Sequence, residues 1–271
     1  MVERIWWGTR AYCLIVGMWV RATLTYRTSF LMMAVGNLVT TLLDFAAIAI
    51  MFMHVDELGG FSLAEVAFLY GTSCTAFGLA DLLLGSLSSI GSRVRDGTVD
   101  TLLVRPVPVL VQAAADRFAL RRIGRMLQGL LLLGWALSGL DIDWTPVNVL
   151  LVPVMLLSGA AIFAAVYVLG GAFQFWAQDA AEVQSAFTYG GTTLLQYPPT
   201  IFAEDLLRGV TFVVPLAFVN WLPALRVLGR DDPLGLPGWV DFASPAVAVA
   251  CCAVAGLAWR AGLRGYQSTG S

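Results

Sequence analysis

The chain has 271 residues, 58% of them hydrophobic and 13% charged, with a mean hydropathy of +0.78 and a formal net charge of −2. A soluble domain carries about 25% charged residues, so this composition excludes an ordinary soluble enzyme and points to one integral membrane domain over 1–271. All sixteen basic residues are arginine; without a phosphate-loop lysine the chain lacks an ATP site of the usual kind.

Residues 1–28 read as an interfacial helix. On such a helix Glu3, Arg10, Gly17, Arg21 and Thr28 share one face, because separations of 7 and 11 residues nearly complete whole turns, and Trp6, Trp7, Leu14, Ile15, Met18 and Trp19 supply apolar, interface-seeking surface. Arg10 and Arg21 bracket only about ten residues, too few to cross a bilayer. The arginines spread through this segment leave no apolar core for a cleavable signal peptide.

Six spans are expected after it. Phe30 to Met53 is the first, ending in an arginine-free turn with His54, Asp56 and Glu57. Ala64 to Ile90 returns and delivers a basic loop over 91–122. Met126 to Leu140 holds about 15 residues and crosses if its helix starts near Phe118 and its arginines snorkel. Asp141, Asp143 and Pro146 form the next outer turn, and Val147 to Phe175 comes back. Gln178, Asp179 and Glu182 make an inner turn, from which Val183 to Tyr197 goes out. Residues 198–239 carry Pro198, Pro199, Pro215, Pro223, Pro233 and Pro237, too broken for a clean span. They read as a re-entrant or outer-surface pair of short helices packed on protein. Val240 to Trp259 is the last span. Thirteen arginines then lie inside against Arg208, Arg226 and Arg230 outside, and both termini are cytoplasmic by the positive-inside rule.

The basic loop is the most informative stretch. Between Ile90 and Arg125 it holds Arg93, Arg95, Arg105, Arg117, Arg121, Arg122 and Arg125 against Asp96, Asp100 and Asp116. Gly97 should break the chain, Thr98 cap, Val99 to Val104 form about two helical turns, and Pro106 and Pro108 stop them. That is the build of a docking element, with a solvated loop that only sets topology as the plainer reading. Leu102 and Leu103 are expected to seat in a partner, with Arg95, Asp100 and Arg105 around them.

Asp44 and Asp81 fall inside predicted spans, where an aspartate costs about 2.5–3.5 kcal/mol near mid-bilayer. With no intramembrane arginine expected beside them, they read either as part of a polar pathway or an interhelical polar contact, or as groups close to a water-filled vestibule or simply protonated. Gln174, Gln184 and Gln196 should hydrogen-bond between helices, and Gly170-Gly171 and Gly190-Gly191 should allow close packing. His54 and the scattered Cys13, Cys74, Cys251 and Cys252 make no zinc site, and no hydrolase motif occurs.

The segment Arg95-x-Gly97-x-x-Asp100-x-Leu102-Leu103-x-Arg105-Pro106 resembles the loop after the second span in a bacterial branch of the ABC-2-type (type-2 ATP-binding cassette) transporter permeases. Phe61-Ser62-Leu63-Ala64-Glu65-Val66 with Leu69-Tyr70-Gly71, Val214-Pro215-Leu216-Ala217-Phe218-Val219-Asn220 with Pro223-Ala224, and the tail Tyr266-Gln267-Ser268-Thr269-Gly270-Ser271 are similar to that branch too. Thr98 departs from it, standing where the family often carries Glu. The resemblance implies a six-span permease subunit of an exporter in the bacterial inner membrane. Its partners would be a second permease and two cytoplasmic ATPase subunits that bind ATP and Mg, with no nucleic acid; membrane lipid surrounds it. The loop containing Arg93 to Pro106 would be the coupling helix, and 198–239 the re-entrant segment with Pro198, Pro215, Asn220 and Pro223. An amphiphilic or lipid-like substrate suits such apolar spans. An ATP-independent secondary transporter or channel, which would need paired ionisable groups, and a membrane assembly scaffold are the alternatives.

Overall fold

The computed structural model describes residues 2–25, 27–177 and 180–267. The inner turn expected at Gln178 and Asp179 and the tail motif beyond Gln267 lie outside them. Helices α1 (Val2–Thr25) and α2 (Arg27–Met51) come first. Helix α3 (Leu63–Leu84) runs through a 3₁₀ turn at Gly85–Ser89 into α4 (Ile90–Arg95). Two short helices follow, α5 (Asp100–Leu103) and α6 (Val109–Ala115), then α7 (Arg122–Gly139) and α8 (Pro146–Phe173). Helices α9 (Ala181–Ser185) and α10 (Gly191–Leu195) are joined by a π turn at Ala186–Gly190; α11 (Glu204–Arg208), α12 (Trp221–Leu228) and α13 (Ser244–Gly265) complete the chain. Among the described residues no strand forms beyond one bridge between Leu58 and Phe61.

Among the described residues, four helical stretches are long and apolar enough to cross a bilayer: Phe30–Met51, Leu63–Arg95, Pro146–Phe173 and Ser244–Gly265. They coincide with the expected first, second, fourth and last spans. The second runs past its expected end at Ile90: after the 3₁₀ turn at Gly85–Ser89 the chain resumes as α4 through Arg95, and Gly97 at φ +65° ends it. Helix α7, at 18 residues, and the α9–α10 pair fall outside these four.

Helix α3 sits at the centre, packed against α7 on one side and α8 on another, with α13 against the far side of α8. In hydrocarbon, apolar side chains gain little by leaving lipid, so helix association relies on close contact and hydrogen bonds. The α3–α7 seam shows this. A Cβ on Gly78 would come 2.9 Å from the Met126 backbone, and one on Gly129 2.7 Å from the Thr75 nitrogen. Only glycine lets these backbones approach so closely. Of the expected glycine contacts, Gly170 faces the Gln184 side chain and Gly191 faces Leu216, while Gly190 stands open.

Helix α3 begins at a capping box: the Ser62 N–H donates to Glu65 Oε2 at 2.8 Å, and Ser62 Oγ accepts from the Glu65 N–H. Helix α2 packs loosely, with Leu31, Met32, Leu43 and Ile50 exposed. Helix α1 also exposes Trp6, Trp7, Leu14 and Met18, yet it is tied down. The Tyr12 hydroxyl donates to the Leu83 carbonyl at 2.9 Å, and Gly8 lies against Val111 of α6.

Candidate functional site

The loop after α4 is a built structure. Gly97 adopts the left-handed conformation that ends α4; the Thr98 N–H bonds to the Arg93 carbonyl at 3.0 Å and the Gly97 N–H to the Val94 carbonyl at 3.2 Å. This pair of bonds is the Schellman arrangement, which satisfies carbonyls that a helix end would leave open. Thr98 does not cap the next helix, contrary to expectation. Its hydroxyl donates back to the Arg93 carbonyl at 3.3 Å, and Val99 precedes α5 without a side-chain cap. The expected two turns shorten to one, Asp100–Leu103, because Pro106 and Pro108 follow so soon.

The leucine pair divides. Leu102 is 5% exposed and belongs to the chain's own core, whereas Leu103 and Val104 are 48% and 84% exposed. A turn of about 100° per residue carries Leu103 off the core side that takes Leu102, and Val104, at the helix end, is exposed beside it. The apolar knob offered outward is therefore Leu103–Val104, flanked by exposed Arg95, Asp96, Arg105 and Pro106.

Three ties hold this turn. Arg93 pairs with Asp116 at the end of α6, its Nε 3.0 Å from Oδ2. The buried Gln112 amide donates to the Leu102 carbonyl at 2.9 Å and the Val107 carbonyl at 2.7 Å. Gln174, at the end of α8, accepts the Gly91 N–H at 2.8 Å and donates to Gln184 Oε1 at 2.7 Å. The cross-helix role expected of Gln174 and Gln184 is thus observed, and Gln196 likewise reaches Cys74 at 3.3 Å. Tyr266, first residue of the tail motif, stacks edge-on against Phe175. Burial and the nearby Asp100 carboxylate raise its pKa.

The two span aspartates have different surroundings. Asp81 is buried, with Arg122 Nε 3.3 Å from Oδ1 and the Tyr167 hydroxyl donating to the same oxygen at 2.9 Å. The expectation that no arginine would pair with it is corrected: α7 brings Arg122 up beside α3. Asp44 instead lines a cavity of about 370 Å³ between α2, α3, α7 and α10, together with Tyr70, Arg125, Tyr189, Thr192 and Gln196. Arg125 lies over the rings of Phe77 and Tyr189, 5.1 and 5.3 Å from their centroids. The structure does not bring Asp81 to this cavity.

Of the residues expected in the outer segment, Asn220 is the one that ties helices together. Fully buried, it donates to the Leu69 and Leu195 carbonyls, both at 3.0 Å. It thereby joins α3, α10 and the start of α12. Pro198 and Pro215 each precede a short 3₁₀ turn, and Pro223 sits buried in the first turn of α12, where a missing N–H costs nothing. Arg230 forms a two-pronged pair with Glu65 at 2.7 and 3.0 Å, clasping this segment to the start of α3. Arg122, Tyr167 and the Glu65–Arg230 pair escape sequence reasoning because their partners lie far along the chain, and Gln112 because its partners are backbone carbonyls that no residue type marks. A larger cavity, about 740 Å³, separates the Asp141–Asp143 turn from 225–241. Among the described residues no His, Cys, Asp and Glu side chains gather to hold a metal ion.

A family model described as ABC-2 family transporter protein matches residues 38–270. No curated protein and no solved structure matches the chain.

Proposed function

The chain belongs to the ABC-2 transporter family, and from that premise we propose that it is the permease subunit of an exporter driven by separate ATPase subunits. Its helices make it a multi-pass membrane protein, and membrane components of this family work with ATP-binding subunits. The finer reading has six spans, with α7 and α9–α10 crossing beside the four long ones. It keeps both termini and 91–122 on the cytoplasmic side of a bacterial inner membrane. Two ATPase subunits bind ATP and Mg, and a second permease, identical or related, completes the path. The re-entrant segment 198–239 closes the outer side.

One observation carries this: the exposed Leu103–Val104 knob on a backbone fastened by Gly97, Gln112 and the Arg93–Asp116 pair. A turn so held transmits a push as a rigid body, whereas a slack loop would absorb it. Closure of the ATPases would press on the knob. Movement would pass along α4 into α3 and, through Gly91 and Gln174, into α8. The cavity beside Asp44 and Arg125 supplies a polar stretch for the head of an amphiphilic or lipid-like molecule.

The test is co-purification with a nucleotide-binding subunit, followed by ATPase and export assays. The parent complex should hydrolyse ATP and export. Leu103→Asp with Val104→Asp should still insert but lose association and transport. Full transport by that variant, or by the chain without any ATPase subunit, overturns the reading.

A further inference from the structure

A second cavity, also about 370 Å³, lies between α1, α2 and the turn leading into α7. Trp19 and Thr23 of α1, Phe30 and Met33 of α2, and residues 117–121 line it. Arg117 and Arg121 stand at its edge, both exposed; neither guanidinium has a hydrogen bond or ion pair among the described residues. Arg117 is also the one described non-glycine residue with a left-handed backbone, at φ +52°. That conformation costs roughly 1–2 kcal/mol for a residue with a Cβ, and strain of this kind gathers at binding sites.

Two chemistries meet in this groove. Its edge carries two uncompensated positive charges; its floor is apolar, formed by Trp19, Phe30 and the buried Phe118. Phe30 also opens the apolar run Phe30–Met51, so the floor continues into the level of the acyl chains. A soluble anion would use the edge and leave the floor wet. A hydrocarbon chain alone would leave the guanidinium groups unanswered. We propose that this groove is a binding site for an anionic phospholipid, its phosphate between Arg117 and Arg121 and an acyl chain along Trp19, Phe30 and Phe118. Basic pockets beside membrane helices recognise such headgroups by charge at close range, and an indole suits the interface between head and tail. The bound lipid fastens α1 and α2 to the turn that precedes Arg122 and Arg125.

The purified full chain, reconstituted in nanodiscs of mixed phosphatidylglycerol and phosphatidylcholine, tests this by native mass spectrometry of retained lipid. The parent should retain phosphatidylglycerol in preference to phosphatidylcholine. Arg117→Gln with Arg121→Gln should lower that preference by about thirtyfold, two charges being removed. Arg260→Gln with Arg264→Gln removes the same charge outside the groove and should leave it intact, while Arg117→Lys with Arg121→Lys should retain most of it. No preference in the parent, or equal loss in the Arg260 and Arg264 variant, overturns the proposal. So does displacement of the lipid by inorganic phosphate, which would make the site one for soluble phosphate. Should the glutamine variant not fold, Trp19→Ala reads the floor instead: unchanged retention of phosphatidylglycerol would equally overturn it.

Discussion

Removing Arg122 would leave the Asp81 carboxylate buried between α3 and α8 with only the Tyr167 hydroxyl beside it. Breaking a buried ion pair from one side commonly costs about 3 kcal/mol or more, while replacing both partners by apolar groups costs much less. Arg122→Leu should therefore lower the melting temperature of the detergent-solubilised chain clearly, and Asp81→Leu added to it should restore part of the loss. A double variant no better than Arg122→Leu alone would mean that the pair is not the source of the effect. Asp44 makes a useful contrast. It has an exposed side chain at a cavity edge, so Asp44→Asn should leave the melting temperature unchanged while altering transport. The two aspartates look alike in sequence because the local pattern of each is an acid in an apolar run. Their surroundings come from α7, α8 and α10.

At the scale of elements, the α3–α7 seam depends on absent side chains. Gly129→Val would drive its new atoms into the Thr75 backbone, which cannot move without shifting α3. Overpacking of this kind costs about 1–3 kcal/mol or more, so the yield of monodisperse protein should fall sharply. Gly134 has open space where its Cβ would be, and Gly134→Ala should behave like the parent. The turn after α4 depends on the opposite property, a backbone shape. Gln112 fastens it through two carbonyls that any sequence would supply. That explains why the turn's ends were legible from Gly97, Pro106 and Pro108, while its fastening and the outward face were not. Side-chain direction on a one-turn helix is settled by what lies beneath it, here the core that takes Leu102.

For the whole molecule, the arrangement of arginines makes a directional claim. A single cysteine placed at Arg105 in a background free of Cys13, Cys74, Cys251 and Cys252 should react with a membrane-impermeant maleimide only from the cytoplasmic side. One placed at Asp56 should react only from outside. Labelling of the Arg105 site from outside would invert the topology and remove the docking proposal with it. Composition and the spacing of apolar runs determined that the chain is helical and membrane-embedded and where the long helices run, because hydrocarbon leaves a backbone few other ways to satisfy its own polar groups. The same one-dimensional pattern marked Gly97 and the prolines, whose conformational limits are local. Only the tertiary structure decided which charges are held and which stand free. It joined Asp81 to Arg122 and Glu65 to Arg230, sent Leu102 inward and Leu103 outward, and left Asp44 beside an open cavity. Each of these contacts spans tens of residues or more or depends on a neighbouring helix, and no periodicity within a segment encodes what another segment brings to it.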